Sequence, residues 1–506
     1  MLPRRDAAAW IVSRSLRVYT ATCKGRIRSE HLVEHDLFRK PVSTPHHVRG
    51  RLFRDHALMP TERDTIFALS SGRPPAAIAV VRLSGPHAGA ALETTTGRLP
   101  RPRYGTLARV RDPETHELID EAIALWFPAP NSETGEDMAE LQVHGGRAVI
   151  AAVLAALAKI PGLRPAERGE FTRRAFENGR MDLTAAEGLA DLVAADTQAQ
   201  RRQAFGHLKG LLGNRAETWR ERIIEALALV EAGIDFPDEP DVPQQVAAQA
   251  LTITRSLAEE IREALARRGE RLREGLRVAI AGAPNAGKST LFNRIARRDA
   301  AIVSPYPGTT RDVLEVHLDL DGYPVTVLDT AGIRASDDHI EQEGVRRATE
   351  QARNADLVLW VHDATDLRSE EQMLMQENSP VWRVVNKMDL VADPAAIPAR
   401  FREREPVYFV SSLMGSGISE LLAAVGRFAE NGFTLEPAVV TRERHRAHLN
   451  EALSCLVDAQ AVGGTGRDEL LAEQLRLAAR ALGKLLGRVD VEDVLDVIFR
   501  DFCIGK

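Results

Sequence analysis

Between Gly282 and Ser412 the 506-residue chain carries five short segments whose residue types and spacing suit the binding and hydrolysis of a nucleoside triphosphate. The first is GAPNAGKST, Gly282 to Thr290, behind the apolar run Leu276 to Ala281. Such a run predicts a buried parallel strand, which puts the glycines on a strand-to-helix loop. There Gly282 and Gly287 let backbone N–H groups turn inward around phosphates, Lys288 reaches the β and γ oxygens, and Ser289 offers its hydroxyl to Mg²⁺. The positive end of the following helix adds to this anion site. Thr310, in Gly308 to Asp312, is placed to ligate Mg²⁺ when the γ-phosphate is bound. Asp329, which opens DTAG, is placed to hold the ion through water, and the Gly332 N–H to touch the γ-phosphate.

A phosphate loop alone fits ATP as readily as GTP, so the base must be chosen elsewhere. NKMD follows the apolar segment Val381 to Val385, and its Asp389 carboxylate can accept hydrogen bonds from guanine N1 and N2, a donor pair adenine lacks. Ser411 and Ser412, after PVYFV, fall where a last base-contacting loop is expected. Many GTPases place a water-orienting glutamine after the DTAG glycine, but here that position is Ile333. An isoleucine cannot orient water, so another group must do so, and some positive charge must replace an arginine finger.

Intervals of 41 residues from Lys288 to Asp329 and 57 from Asp329 to Asn386 leave room for the strands and helices of one doubly wound domain. Before it, from Thr61 to about Arg180, AAIAVVRL and EAIALWF read as strands and AVIAAVLAALAKI as a buried helix, a mixed α/β domain. After Arg180 apolar residues recur at three- and four-residue spacing. Pro237, Pro240 and Pro243 break that pattern before a second helical run, Gln245 to Arg273. The same Leu- and Ala-rich pattern returns from about Glu436 to Arg500. The simplest architecture is one discontinuous helical domain into which a Ras-like P-loop GTPase domain is inserted. The expected division is an extension over 1–58, an α/β domain over 59–180, helical parts over 181–275 and 432–506, and the GTPase domain over 276–431.

Composition narrows the setting. The chain has no run of about 18 apolar residues, so no membrane-spanning helix is predicted. Cys23, Cys455 and Cys503 are too widely spaced for a disulfide framework or a Cys-rich metal site and suit a reducing compartment. A net charge of −6 leaves RNA binding, if any, to local basic patches or a basic partner. The first 58 residues are the exception, with twelve Lys or Arg against five Asp or Glu. Met59 is expected to be the true start of translation. The alternatives are an organelle transit peptide, which Glu30, Glu34 and Asp36 disfavour, and a basic RNA-binding arm.

Together GAPNAGKST, VSPYPGTTRD, DTAGIR, NKMD and the terminal FCIGK resemble the tRNA uridine-modification GTPases called MnmE or TrmE, from about Thr61 to Lys506. The resemblance implies that K⁺ supplies the missing charge, held by Asn285, Ser304, Tyr306 through its backbone carbonyl, and Thr309. Ser304 stands where a threonine is common and retains the hydroxyl. Glu341, twelve residues after Asp329, would orient the water, and Lys288 would be the other catalytic residue of the nucleotide site. The implied nucleotide contacts are Asn285, Ala286, Gly287, Lys288, Ser289 and Thr290; Ser304, Pro305, Tyr306, Pro307, Gly308, Thr309 and Thr310; Asp329, Thr330, Ala331 and Gly332; Asn386, Lys387 and Asp389; and Ser411, Ser412 and Leu413.

The family's first domain resembles the folate-binding fold of one-carbon transferases. It would bind a 5,10-methylene or 5-formyl tetrahydrofolate through Arg82, Glu140 and Arg180, with Lys506 reaching it on the C-terminal tail. Cys503 would be a functional cysteine in that chemistry. The implied activity is GTP-gated addition of an aminomethyl-type group, such as carboxymethylaminomethyl, at C5 of the tRNA wobble uridine. It would be performed by a homodimer in a heterotetramer with the flavoprotein MnmG, which carries FAD and uses NADH. The location implied is cytoplasmic, or mitochondrial if residues 1–58 are a transit peptide. The alternative is a ribosome-assembly or signalling GTPase. That class would show a second GTPase domain or an RNA-binding module, and neither is visible in the sequence.

Overall fold

The computed structural model describes residues 64–72, 74–235, 243–266, 270–298, 301–302, 314–329, 355–367, 379–392, 397, 406–432, 438–489, 495, 498–499, 502 and 504–505. The expectations for residues 1–58, for Ser304 to Asp312, for Thr330 to Glu341, and for Cys503 and Lys506 lie outside them.

The first domain is built on a six-stranded sheet in the order β3-β4-β5-β2-β1-β6. Its strands are β1 (Thr65–Leu69), β2 (Ile78–Ser84), β3 (Thr106–Arg111), β4 (Leu118–Phe127), β5 (Met138–His144) and β6 (Leu163–Pro165). All neighbours are antiparallel except β1 and β6. Alternation along β2 and β5 sends Val81, Leu83, Leu141 and Val143 into a core with Leu92 of α1 (Ala88–Thr96) and Leu157 of α2 (Arg147–Ala158). The intervening residues Arg82 and Glu140 therefore share the opposite face, directly across from each other in register. That face also carries Ile66 and Ala68, which pack on Phe171 of α3 (Glu170–Glu177).

Among the described residues the second domain has four long helices, α6 (Gly213–Asp235), α7 (Pro243–Ala266), α11 (Glu443–Val462) and α12 (Asp468–Leu486). Their apolar stripes meet in a single core, with Trp219, Ile223, Leu257 and Ile261 before the nucleotide domain and Leu449, Leu456, Leu475 and Leu482 after it. Two shorter helices, α4 (Leu183–Ala194) and α5 (Gln198–Leu208), precede them. Over the second helical run the described residues form α7 and α8 (Glu270–Glu274), with residues 267–269 outside the described residues. Between α6 and α7 lie the prolines at 237 and 240, and Pro243 opens α7, a position where its missing N–H costs nothing.

The two halves of this domain are also joined by charge. Glu187 on α4, 2 % exposed, accepts from Arg444 Nε and Nη2 at 3.1 and 2.8 Å and from His445 Nε2 at 2.7 Å. Burial pushes the carboxyl up, but the His445 bond and the Arg444 charge outweigh it and hold Glu187 well below the usual carboxylate range. Burial lowers His445 to about 4, against the pull of Glu187, so the imidazole is neutral and donates from Nε2.

The nucleotide domain is a seven-stranded sheet in the order β13-β12-β11-β7-β10-β9-β8. Its members are β7 (Leu276–Gly282), β8 (Ala301–Ile302), β9 (Leu314–Leu320), β10 (Tyr323–Asp329), β11 (Leu357–Asp363), β12 (Val381–Asn386) and β13 (Val407–Phe409). β10, β7, β11, β12 and β13 run parallel, and the β8 and β9 edge is antiparallel. Helices α9 (Lys288–Ala296) and α10 (Ile418–Gly432) contribute Leu291, Ile295, Leu421 and Val425 to its core. Ligands of such sheets collect at the carboxyl ends of the strands, where the predicted phosphate and base loops emerge. Among the described residues no helix is long and apolar enough to cross a membrane.

Candidate functional site

The phosphate loop takes its shape from close backbone approaches. Gly282 ends β7 opposite Val361 of β11, and a Cβ there would lie 2.2 Å from the Val361 carbonyl oxygen, so only glycine fits. Asn285 and Gly287 both adopt positive φ, 63° and 92°, in the turn that leads into α9, the kind of backbone that lets successive N–H groups face an anion. Lys288 Nζ donates to the carbonyls of Gly282 and Ala283 at 2.8 and 2.7 Å, which ties the ammonium across the loop. Ala286 is buried, whereas Asn285, Ser289 and Thr290 are exposed at the helix start. The Asn285 carboxamide oxygen and Ser289 hydroxyl are hard oxygen donors that suit K⁺ and Mg²⁺ respectively, and Asp329 is buried at the end of the neighbouring β10. Ser304, Pro305, Tyr306, Pro307, Gly308, Thr309, Thr310, Thr330, Ala331, Gly332 and Glu341 lie outside the described residues.

The base loop is fastened to the phosphate loop through Asn386. Its Nδ2 donates to the Ala286 carbonyl at 3.0 Å, while its Oδ1 accepts from the Ser412 N–H and Oγ at 3.0 and 2.8 Å. Lys387 is also at positive φ, 64°, and its ammonium meets Asp363 Oδ2 at 2.6 Å. Burial raises Asp363, but Lys387 and two bonds from Thr365 more than offset it and keep the carboxyl ionised. Asp389 is exposed, with Oδ1 held by the Ser411 hydroxyl, so its carboxylate is aimed but reachable. Arg294 of α9 donates to the carbonyls of Ser412 and Leu413, and Leu413 is 67 % exposed beside them. Sequence reading missed Asp363 and Arg294, because nothing in their local spacing announces a partner on a distant loop.

On the first domain Arg82 and Glu140 are in contact. Arg82 Nε and Nη2 lie 3.1 and 3.0 Å from Glu140 Oε1, and Arg82 Nη1 lies 2.8 Å from Glu133 Oε2. Glu133 went unnoticed in the sequence, since it sits in the β4–β5 connection and reaches Arg82 only through the fold. The same connection approaches Arg180: a Cβ on Gly135 would be 3.2 Å from Arg180 Cγ, and Asn178 Nδ2 donates to the Thr134 carbonyl at 2.7 Å. Arg82, Glu140 and Arg180 are thus grouped around one loop, with Arg180 exposed.

The C-terminal segment arrives at this domain too. Phe499 and Phe502 pack with Leu183, Ala186 and Leu495, and Gly169, at φ 67°, passes so close that a Cβ would be 2.6 Å from the Phe499 carbonyl oxygen. Ile504 forms an antiparallel bridge with Arg168, and Ser70 Oγ donates to the Gly505 carbonyl at 2.8 Å. Gly505, at φ 95°, lies against Leu69, which pairs with Val81 beside Arg82. Cys503 and Lys506 are outside the described residues.

Known proteins match both parts. Residues 65–180 match the model of the GTP-binding protein TrmE N-terminus, and residues 183–503 match that of the MnmE helical domain. A tRNA modification GTPase MnmE from a Bradyrhizobium strain is 58% identical over 445 residues, 87% of this chain and 99% of that protein. One from Parvibaculum lavamentivorans is 53% identical over 449 residues, 88% of this chain and all of the relative's length. A solved structure of Era from Aquifex aeolicus, bound to GDP and aluminium fluoride, matches 35% of this chain at 27% identity with a TM-score of 0.26. On the two domain models and on relatives matched along nearly their whole length, the chain belongs to the MnmE (TrmE) family of tRNA modification GTPases.

Proposed function

We propose that this protein hydrolyses GTP in the service of tRNA modification at C5 of the wobble uridine, with a tetrahydrofolate as one-carbon donor and a flavoprotein of the MnmG kind as redox partner. The observation that carries the proposal is the arrival of Gly505 beside the β1–β2 pair that bears Arg82. One chain brings Gly505 against the end of β1, the strand paired with the Arg82 strand, and also carries a phosphate loop and NKMD in an inserted domain. Bound folate would supply the carbon at the methylene or formyl level. Arg82, Arg180 and Lys506 offer cations for its glutamate carboxylates, and Glu140 offers a carboxylate for pterin N–H donors.

On the nucleotide side Lys288 and the loop amides bind the β and γ oxygens, Ser289, Thr310 and Asp329 hold Mg²⁺, and Asp389 selects guanine. Asn285, Ser304, Tyr306 and Thr309 form the K⁺ site of a dimer whose nucleotide domains meet face to face, and Glu341 orients the attacking water. Cys503 acts at the folate pocket. A cytoplasmic location completes the reading. Mass spectrometry of wobble nucleosides from cells lacking the protein tests it. Loss of the C5 modification, restored by the wild-type gene, is the expected result. An unchanged nucleoside profile would turn the assignment toward a ribosome-assembly GTPase.

A further inference from the structure

The first turn of α5 is in contact with the nucleotide domain and with the segment that leads into it. A helix start leaves N–H groups without intrahelical partners. Here a capping box supplies part of the need: the Thr197 hydroxyl accepts from the Gln200 N–H, and Gln200 Oε1 accepts from the Thr197 N–H at 3.1 Å. The Ala199 N–H instead donates across the domain boundary, to the Gly322 carbonyl at 3.1 Å in the β9–β10 turn. Gln200 Nε2, the remaining end of the same carboxamide, donates to the Arg273 carbonyl at 3.1 Å, three residues before β7 begins at Leu276.

Both contacted segments lead directly to nucleotide-sensing sequence. β9 begins at Leu314, just after Gly308 to Asp312, and β10 ends on Asp329. β7 ends on Gly282 of the phosphate loop. The other end of α5 reaches the opposite junction. Its buried His207 pairs through Nε2 with the Ala438 carbonyl at 3.1 Å, where the chain has returned to the helical domain, and stacks on His445 at 6.1 Å. An eleven-residue helix thus spans the ~16 Å between the hairpin turn and the Glu187–His445 cluster.

The joint is not close-packed. A cavity of about 50 Å³ lies beside it, lined by Asp191, Gln200, Gln203, His207, Arg273 and Thr441. That volume has room for a few waters. In its wall His207 Nδ1 and Arg273 Nε have no hydrogen-bond partner among the described residues. Rearranging a dense interface opens voids and costs contacts, whereas a polar, water-sized hollow lets neighbouring groups exchange partners at small cost.

We infer that α5 is the strut that carries the nucleotide state into the helical domain, with Gln200 as its positioning residue. The inference rests on the proposed role of GTP turnover in gating modification, but its first test needs only nucleotide. Gln200→Glu retains the capping acceptor, and glutamate is a preferred residue at that position, yet it cannot donate to the Arg273 carbonyl. In the full-length wild type, backbone hydrogen exchange in α5 should differ between GDP and GDP with aluminium fluoride. Gln200→Glu should abolish that difference while GTP turnover and melting temperature stay at wild-type values, and should lower wobble modification about tenfold, within the usual range of intersite coupling. Ala199→Pro, which deletes the other donor in a helical turn that tolerates proline, should act alike. Exchange in α5 that ignores nucleotide in the wild type, or remains nucleotide-dependent in both variants, would overturn the strut. Loss of the exchange difference in both variants with wobble modification unchanged would overturn the gating of modification by nucleotide and leave the strut standing.

Discussion

The side-chain nitrogen of Asn386 occupies the space a side chain on Gly287 would need: a Cβ at residue 287 would lie 2.3 Å from Asn386 Nδ2. The base-selecting motif and the phosphate loop are therefore one assembly, closed by the Asn386 bonds to Ala286 and Ser412. Asn386→Ala removes a buried hub and leaves the Ala286 carbonyl and Ser412 N–H unsatisfied, at a cost of roughly 2–4 kcal/mol. GTP and GDP affinity should fall together, as measured by equilibrium titration, because both loops lose their reference position.

Asp389 is exposed and oriented by Ser411, so its replacement probes the base without disturbing the core. Asp389→Asn turns one acceptor into a donor, which suits the 2-oxo group of xanthine in place of the guanine amine. GTP affinity is expected to drop about 10- to 100-fold through loss of charge-assisted bonds, with xanthosine triphosphate binding gained. Retained preference for GTP would remove Asp389 from base recognition.

Turnover in K⁺ should greatly exceed turnover in Na⁺, and Asn285→Ala should erase the difference. Equal wild-type rates in the two salts would count against Asn285 as a cation ligand. Glu341→Ala should slow hydrolysis with GTP affinity near normal, read as a fall in kcat without a matching rise in Kd.

Tail docking offers a separate handle on the first domain. Gly505 needs positive φ, and a Cβ there would meet the Leu69 carbonyl oxygen at 2.2 Å. Gly505→Val should displace the tail, at a cost of about 1–3 kcal/mol for the backbone alone, and weaken tetrahydrofolate binding while leaving GTP affinity intact. Arg82→Ala should do the same by removing a cation. Unaltered folate titration in both variants would reject this pocket.

Acid should loosen the helical domain. The ordinary pKa of a histidine is 6.5, and that of folded His445 is about 4. Between these values the unfolded chain binds the extra proton and the folded one does not. Stability therefore rises with pH across that window and is lost as pH falls through it, by on the order of 3 kcal/mol. Buried His207, also lowered, adds in the same direction. His445→Gln, which keeps a donor for Glu187, should flatten part of the dependence of melting temperature between pH 6.5 and 5. A profile identical to wild type would mean that His445 does not titrate there.

Much of the nucleotide site was legible because its chemistry is local. A strand followed at once by the nine-residue GAPNAGKST announced the turn before α9, and NKMD after an apolar run announced a loop at a strand end. The alternation that places Arg82 and Glu140 on the same sheet face follows from a period of two, so their presence on strands could be read as well. Their pairing, and the third partner Glu133, depend on the register of β2 with β5 and on where the β4–β5 connection folds. The same holds for Asn386 with Ala286, a hundred residues apart, and for Glu187 with His445 on two halves of a domain split by an insertion. Sequence alone determined the strands, helical runs and glycine-rich turn read from local pattern, since these depend on neighbouring side chains. Only tertiary structure decided which loops share atoms, because close packing of strands and helices, and the burial of polar groups that must then find partners, bring together residues whose separation along the chain carries no signal.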